Sequence, residues 1–364
     1  MLVATAVLSF ETRISSAILE VAAGIGLVWF FPEIGKLDWL TFLSHLGMLG
    51  LMFMVGFEID VRRLRQTWRT SVAIGASALS LPAIGVFAYC RYVMGLDLDV
   101  AALMAIGVST TSLAMVYNAL KERGTLATGE GQIIIAIASV IDVLAMVLLA
   151  LLMGDLGWGT AIFLALMVPA PLGLPRFGRW IFRRYSNSLV EIDLRFMLVV
   201  LIGVGFVAES VGGIHPAMVA FAVGVVMSGA ADGHDMLEQK LKGIVFSLLA
   251  PVFFLHAGTQ IDLRDLTFDV VGTAAALLVI TSVLKYVGTA LPYRWLLKAP
   301  GRLPGLLCNY QLSFGIIAAA VGLHVGLLTA ELYAVILLVI VGSAFLPAIL
   351  LRDRPSERPS RRDT

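Results

Sequence analysis

An all-α protein that crosses a membrane many times is the fold class this sequence predicts, and three observations predict it. Of 364 residues, 59% are hydrophobic and only 14% charged, against about 25% charged in a soluble domain; the mean hydropathy is +0.93. Apolar stretches of membrane-helix length recur along the whole chain. Lys and Arg gather in alternate connections between them, as the positive-inside rule requires. A net charge of +1 gives no sign of nucleic acid as a partner.

Met1 to Phe10 is apolar but too short to span, and Glu11-Thr12-Arg13 follows at once. With no basic leader and no clear small-residue cleavage site, it reads as a short or trimmed first helix, not a signal peptide. Further stretches run at 14–31, 39–58, 71–94, 99–120, 131–153, 157–182, 194–210, 214–230, 243–260, 269–293, 305–324 and 329–351, giving about 13 transmembrane segments. With the N-terminus outside, one side collects 22 of the 26 basic residues, among them Arg62, Arg63, Arg65 and Arg69, then Arg176, Arg179, Arg183 and Arg184. The other side holds Lys36, Arg91 and Arg264, and Lys285 lies within a helix. This division puts the C-terminus in the cytoplasm. Cys90 and Cys308 fall in apolar stretches near opposite faces of the membrane and give no disulfide or metal framework.

The chain also repeats itself. GFEIDVRRL, from Gly56 to Leu64, matches GTQIDLRDL, from Gly258 to Leu266, at Gly, Ile, Asp, Arg and Leu with an offset of 202. SSAILEVAAGIGL pairs more faintly with HPAMVAFAVGVVM, placing Ala17 and Gly24 on Ala217 and Gly224 at an offset of 200. Seven segments separate the copies. An odd number means two six-helix repeats, 1–153 and 194–351, run in opposite directions with 157–182 as connector, the plan of secondary transporters.

Inverted repeats place a substrate site near the bilayer centre, beside interrupted helices. Stretch 99–120 has Gly107-Val108-Ser109-Thr110-Thr111-Ser112 at its centre, and its repeat partner has Asn309, Tyr310, Gln311, Ser313 and Gly315. Hydroxyls bonding back to their own helix would explain either run alone; their corresponding positions predict two crossed discontinuous helices. Asp142 stands in the middle of GQIIIAIASVIDVLAMVLLALLM. A charge there costs about 2.5 to 3.5 kcal/mol on insertion scales, so such a residue is functional by default, although an Asp hydrogen-bonded to a neighbouring helix is the plainer alternative. With Ser109, Thr110 and Thr111 it supplies oxygen ligands suited to a hard monovalent cation. Desolvation favours its protonated form, so proton and cation would compete for one carboxylate.

Lys285 is eight residues before Tyr293, about 12 Å from the helix end and beyond the reach of a snorkelling stem. It reads as a fixed counter-charge for Asp142 or the broken helices, or as a group that itself titrates. Glu20 reads as facing a subunit interface or a funnel; Glu209, His215 and His256 as structural residues near segment ends; Asp60 and Asp262 as boundary residues. Spacings of the GxxxG kind are too common here to signal anything.

HLGMLGLMFMVGFEIDVRRL, STTSLAMVYNALKERG, SVIDVLAM and LLAPVFFLHAGTQIDLRDL resemble the monovalent cation:proton antiporters of the sodium/hydrogen exchanger superfamily, in the bacterial branch that includes the potassium-efflux antiporters. The resemblance runs from about Arg13 to Leu351. It implies that Asp142 binds the ion, that Thr110 and Thr111 are crossover residues and that Lys285 is the basic residue opposite. It further implies a core of 71–153 and 269–351 moving like an elevator against a dimerisation part made of 1–58 and some of 194–260. A homodimer in a bacterial cytoplasmic (inner) membrane, without cofactor, follows from the same likeness. Three features depart from the family pattern. Ile141 precedes Asp142 where electrogenic relatives have two adjacent acids, which favours electroneutral exchange; the NYQLSFG cluster lacks an acid; and the basic tail 352–364 is too short for a cytoplasmic nucleotide-binding domain.

The sequence thus predicts a single membrane domain, 1–351, that exchanges Na⁺ or K⁺ for H⁺ by alternating access. A sodium-coupled organic-solute symporter on a similar scaffold and a transport-inactive regulatory relative are the competing readings. An intramembrane enzyme is disfavoured: the chain has no HExxH, no second midmembrane Asp for a dyad and no activated nucleophile.

Overall fold

The computed structural model describes residues 1–12, 15–59, 61–153, 170–185, 191–211, 215–228, 235–261 and 267–351, and among these there is helix and no strand. Arg13, Asp60, Asp262, Arg264, the first part of the connector 157–182, the tail 352–364 and the Glu209 side chain lie outside the described residues. In the first repeat the helices are α1 (Leu2–Thr12), α2 (Ser16–Phe30), α3 (Asp38–Phe57), α4 (Val61–Ala88, ending in a wider π turn at Tyr89–Val93), α5 (Leu98–Ser109), α6 (Leu113–Glu122) and α7 (Gly129–Met153). The connector contributes α8 (Ala170–Tyr185). The second repeat supplies α9 (Ile192–Val211), α10 (Pro216–Ser228), α11 (Asp235–Ile244), α12 (Ala250–Thr259), α13 (Phe268–Leu297), α14 (Arg302–Leu307), α15 (Ser313–His324) and α16 (Ala330–Leu350). A π turn at Val245–Leu249 joins α11 to α12 in one rod.

Seven helical segments among the described residues are long and apolar enough to cross a membrane unaided: Asp38–Phe57, Thr67–Val93, Leu98–Glu122, Gly129–Met153, Met236–Thr259, Phe268–Leu297 and Ala330–Pro347. Leu2–Thr12, Ser16–Phe30, Pro216–Ser228 and Ser313–His324 are apolar but shorter. Of the other six predicted stretches, four form these shorter helices, the connector is described only in part, and 194–210 forms the 20-residue helix Ile192–Val211.

The helices pack as two sets. In the first, α2 lies on α12 and α3 on α10, with α8, α9 and α11 around them. Glycine decides these contacts. A Cβ at Gly24 would fall on the Leu255 carbonyl, and one at Gly258 on the Val21 carbonyl; likewise Gly56 would meet the Phe221 carbonyl and Gly224 the Phe53 carbonyl. Apolar side chains gain little by leaving lipid for protein, so membrane helices associate through such close backbone approach. The four glycines are the repeat-related pairs at offsets 200 and 202. The two halves therefore clasp each other reciprocally, and the small-residue spacing that carries no signal in the sequence is a physical contact here.

In the second set α4 packs on α13, α7 on α4, α16 on α13, and α5 on α15. Here α4 and α13 are repeat partners, α5 and α15 belong to the repeat-related stretches 99–120 and 305–324, and α7 on α4 has its counterpart in α16 on α13. A Cβ at Gly288 would press on the Ser77 carbonyl, so α4 and α13 also approach backbone to backbone.

Candidate functional site

Both interrupted helices break. α5 ends at Ser109, Thr110 turns to extended backbone at φ −76° and ψ 167°, and α6 resumes at Leu113. α14 ends at Leu307 and α15 begins at Ser313. The two gaps tie to each other: the Ser112 amide donates to the Tyr310 carbonyl at 2.6 Å and the Thr111 hydroxyl to the Cys308 carbonyl at 2.9 Å. Gly107 and Gly315 remain helical. At Gly315 the reason is proximity, since a Cβ there would stand 2.8 Å from the Gly107 carbonyl oxygen, whereas one at Gly107 would meet only ordinary contacts at 3.7 Å or more. Cys308 sits in this crossing, not near a membrane face, because α14 has only six residues and the break comes early. Cys90 is buried at the π turn ending α4.

Breaking a helix leaves carbonyls without intrahelical partners and a partial negative charge at the C-terminal end. At α5 that charge is met by Lys285. Its ammonium donates to the Ser109 carbonyl at 2.8 Å and to the Thr110 carbonyl. Lys285 is 0% exposed in the middle of α13, as expected of a lysine too deep to snorkel. Of the two partners its position suggested, the contact is with the broken helix; among the described residues it forms no ion pair with Asp142.

Asp142 is 2% exposed on α7, which packs against α4, α5 and α6. It lies within electrostatic reach of Lys285, and its Oδ1 has no hydrogen-bond partner within the protein. A permanent structural hydrogen bond at that oxygen is therefore not what keeps an acid here. Ser109, Thr110 and Thr111 are all buried. Thr110 donates to the Gly107 carbonyl at 3.2 Å, the back-bond of an ordinary membrane helix, Thr111 ties the crossing, and the Ser109 hydroxyl is unpartnered. A hydroxyl that donates still has lone pairs for a cation. On the other strand of the crossing, the Asn309 amide donates to the Gly305 carbonyl at 2.8 Å while its Oδ1 is unpartnered, as are both polar atoms of Gln311. Ser313 is half-buried in the first turn of α15.

Thr281 and Ser282 were not among the residues the sequence singled out. Both are buried with unpartnered hydroxyls. They precede Lys285 by four and three residues, so they share its helix face; that spacing was the available signal. Thr289, one turn later, donates to the Lys285 carbonyl at 2.8 Å. Buried polar groups usually find partners, and so many unpartnered oxygens around one crossing suit a group that passes through and is held for a time. Glu20 is buried at the other helix set, and the His256 ring contacts the Gly35 carbonyl at 3.3 Å, a structural role.

Two opposed repeats with a crossing of unwound helices define a secondary transporter of the inverted-repeat class. The chain belongs to the transmembrane sodium/hydrogen exchanger family, whose pattern matches residues 1–352. A probable Na⁺/H⁺ antiporter of Methanocaldococcus jannaschii is 27% identical over 330 residues, covering 86% of this chain and 83% of that protein. The Na⁺/H⁺-K⁺ antiporter GerN of Bacillus cereus is 26% identical over 332 residues, covering 86% and 82%. The solved structure of the sodium proton antiporter MjNhaP1 from Methanocaldococcus jannaschii shares the fold with a TM-score of 0.71 over 96% of this chain and 93% of that one, at 14% identity.

Proposed function

We propose that this protein is a secondary antiporter exchanging Na⁺ or K⁺ for H⁺, with the two competing for Asp142. The observation that carries this reading is a buried carboxylate with one oxygen unpartnered, beside a crossing whose free carbonyls are held by a buried lysine. An acid in that setting holds a proton or a bare cation and cannot hold both, which couples the two gradients without any bond-breaking chemistry. Ser109, Thr110, Thr111 and the Asn309 and Gln311 side chains supply further oxygens. The names of the relatives, Na⁺/H⁺ and Na⁺/H⁺-K⁺ antiporters, support the same ion classes.

In this reading the α4–α7 and α13–α16 set is the moving core. The glycine-clasped set around α2, α3, α10 and α12 is the scaffold, through which two copies pair. The N-terminus faces outward and the C-terminus the cytoplasm, in a bacterial inner membrane. The split of basic residues and the Arg123 guanidinium reaching the Leu351 carbonyl at 2.8 Å, which brings two basic connections to one end, support that orientation.

The test is dequenching of a pH dye in inverted vesicles or proteoliposomes on adding Na⁺, K⁺ or Li⁺ in turn. Antiport gives a response that saturates with at least one ion. No response to any of them overturns the reading, and sodium-driven uptake of an organic solute without proton movement identifies the symporter instead.

A further inference from the structure

The described half of the connector, α8, carries a surface that transport does not use. Leu174, Pro175, Gly178, Ile181 and Phe182 face inward, and Gly178 closes on Met227 of α10 and Phe196 of α9. Arg176, Arg179, Trp180, Arg183 and Arg184 recur at spacings of three and four and so share the opposite face. Together they line an open cleft of about 410 Å³. Aromatic rings flank it: Phe177 stacks on Trp180 at 5.7 Å, and Tyr185 meets Trp180 edge-on at 6.1 Å.

The neighbouring basic residues have partners in the chain. Lys240 pairs with Glu191 at 2.6 Å, and Lys242 with Glu58 at 3.1 Å and Glu238 at 2.8 Å. Among the described residues, by contrast, no carboxylate lies within ion-pair distance of Arg179, Arg183 or Arg184. Each guanidinium on this face offers a planar fork of N–H donors, the chemistry that grips a phosphate.

We propose that this face of α8 binds the phosphodiester headgroup of an anionic phospholipid. Three features select a lipid over a soluble phosphate. The aromatic row beside the arginines is the amphipathic surface that sits at headgroup depth. The apolar outer side of the adjoining α9, with Val199, Ile202 and Phe206 exposed, continues the surface where acyl chains would lie. Clustered arginines near the end of the stretch 157–182, which the sequence predicts to cross the membrane, match the negative charge of anionic leaflets.

Native mass spectrometry of the full chain, purified in detergent with equimolar phosphatidylglycerol and phosphatidylcholine, tests this. The wild type retains phosphatidylglycerol, preferring it by about tenfold or more, and the triple variant Arg179→Gln, Arg183→Gln, Arg184→Gln loses on the order of 100-fold in that affinity. Arg183→Gln alone carries the test if the triple variant does not fold. A control that removes equal charge elsewhere, Arg294→Gln, Lys298→Gln, Arg302→Gln, keeps the lipid. Equal retention of the two lipids overturns the proposal, as does equal loss in the control. Displacement by inorganic phosphate at matching concentration also overturns it, in favour of a soluble anion.

Discussion

The first repeat carries an acid and the second a base at places where their counterparts are neutral. At the offsets of 200 to 202 that relate the halves, Asp142 falls opposite Gly342, Ser343 or Ala344, and Lys285 opposite Ala83, Ile84 or Gly85. What the repeats share is backbone geometry: a break after α5 matched by one after α14, and glycines that clasp reciprocally. The difference teaches how the work is divided. Two-fold symmetry builds the crossing, and the charges that use it are placed without symmetry, one acid against one base. Burying two acids, or two bases, would leave uncompensated charge in a low-dielectric interior, which is costly.

The largest expected effect is on Asp142. Asp142→Asn keeps the shape and removes the titrating oxygen, so cation-dependent proton movement in proteoliposomes falls by at least about 100-fold, below detection in dye dequenching. Substantial residual exchange would mean that the asymmetry is not the engine. The same comparison has a pH form. If protons and cations share the carboxylate as proposed, acidification raises the cation concentration for half-maximal exchange, by up to about tenfold per pH unit once the protonated form dominates. An apparent cation affinity that does not move with pH breaks the competition.

Lys285 distinguishes transport from architecture. Its ammonium holds the Ser109 and Thr110 carbonyls, and a charged hydrogen bond contributes about 1.5 to 3 kcal/mol. Lys285→Gln is therefore destabilising by about 3 kcal/mol, seen as a lower melting temperature in detergent. Asp142→Asn, which neutralises an acid whose Oδ1 has no partner, leaves melting unchanged or raises it. If the order of the two variants is reversed, Lys285 serves Asp142 and not the broken helix.

Much of this arrangement is written in the sequence where polar residues interrupt hydrocarbon. The runs around Ser109 to Ser112 and Asn309 to Gln311 announce the two breaks, and a lone Asp and a lone Lys in apolar helices announce the charges. Positions that depend on three-dimensional approach are harder to read. Gly107 and Gly315 resemble break points in one dimension but stay helical, and at Gly315 the lack of a Cβ lets its backbone approach the Gly107 carbonyl. Cys308 looks remote from the centre until the six-residue length of α14 is known. Thr281 and Ser282 are ordinary hydroxyls until Lys285 fixes which face of α13 turns to the crossing.

The scaffold glycines give the smallest expected effect and the sharpest contrast between neighbours. Gly24 and Gly26 are two residues apart on α2, and local propensity treats them alike. A Cβ at Gly24 would overlap the Leu255 carbonyl, whereas nothing lies within 4 Å of one at Gly26. Gly24→Val must push α2 away from α12, a rigid backbone that cannot yield as a side chain would, and costs about 1 to 3 kcal/mol. Gly26→Ala only restricts the unfolded chain and favours helix, so it is neutral or stabilising by about 0.5 to 1 kcal/mol. Melting temperatures of the two variants in one detergent should separate in opposite directions. Gly258→Val, the reciprocal contact, should reproduce the loss at Gly24, because both substitutions prise apart the same pair of helices. Equal behaviour at Gly24 and Gly26 would mean that the clasp between the repeats is not held by backbone contact.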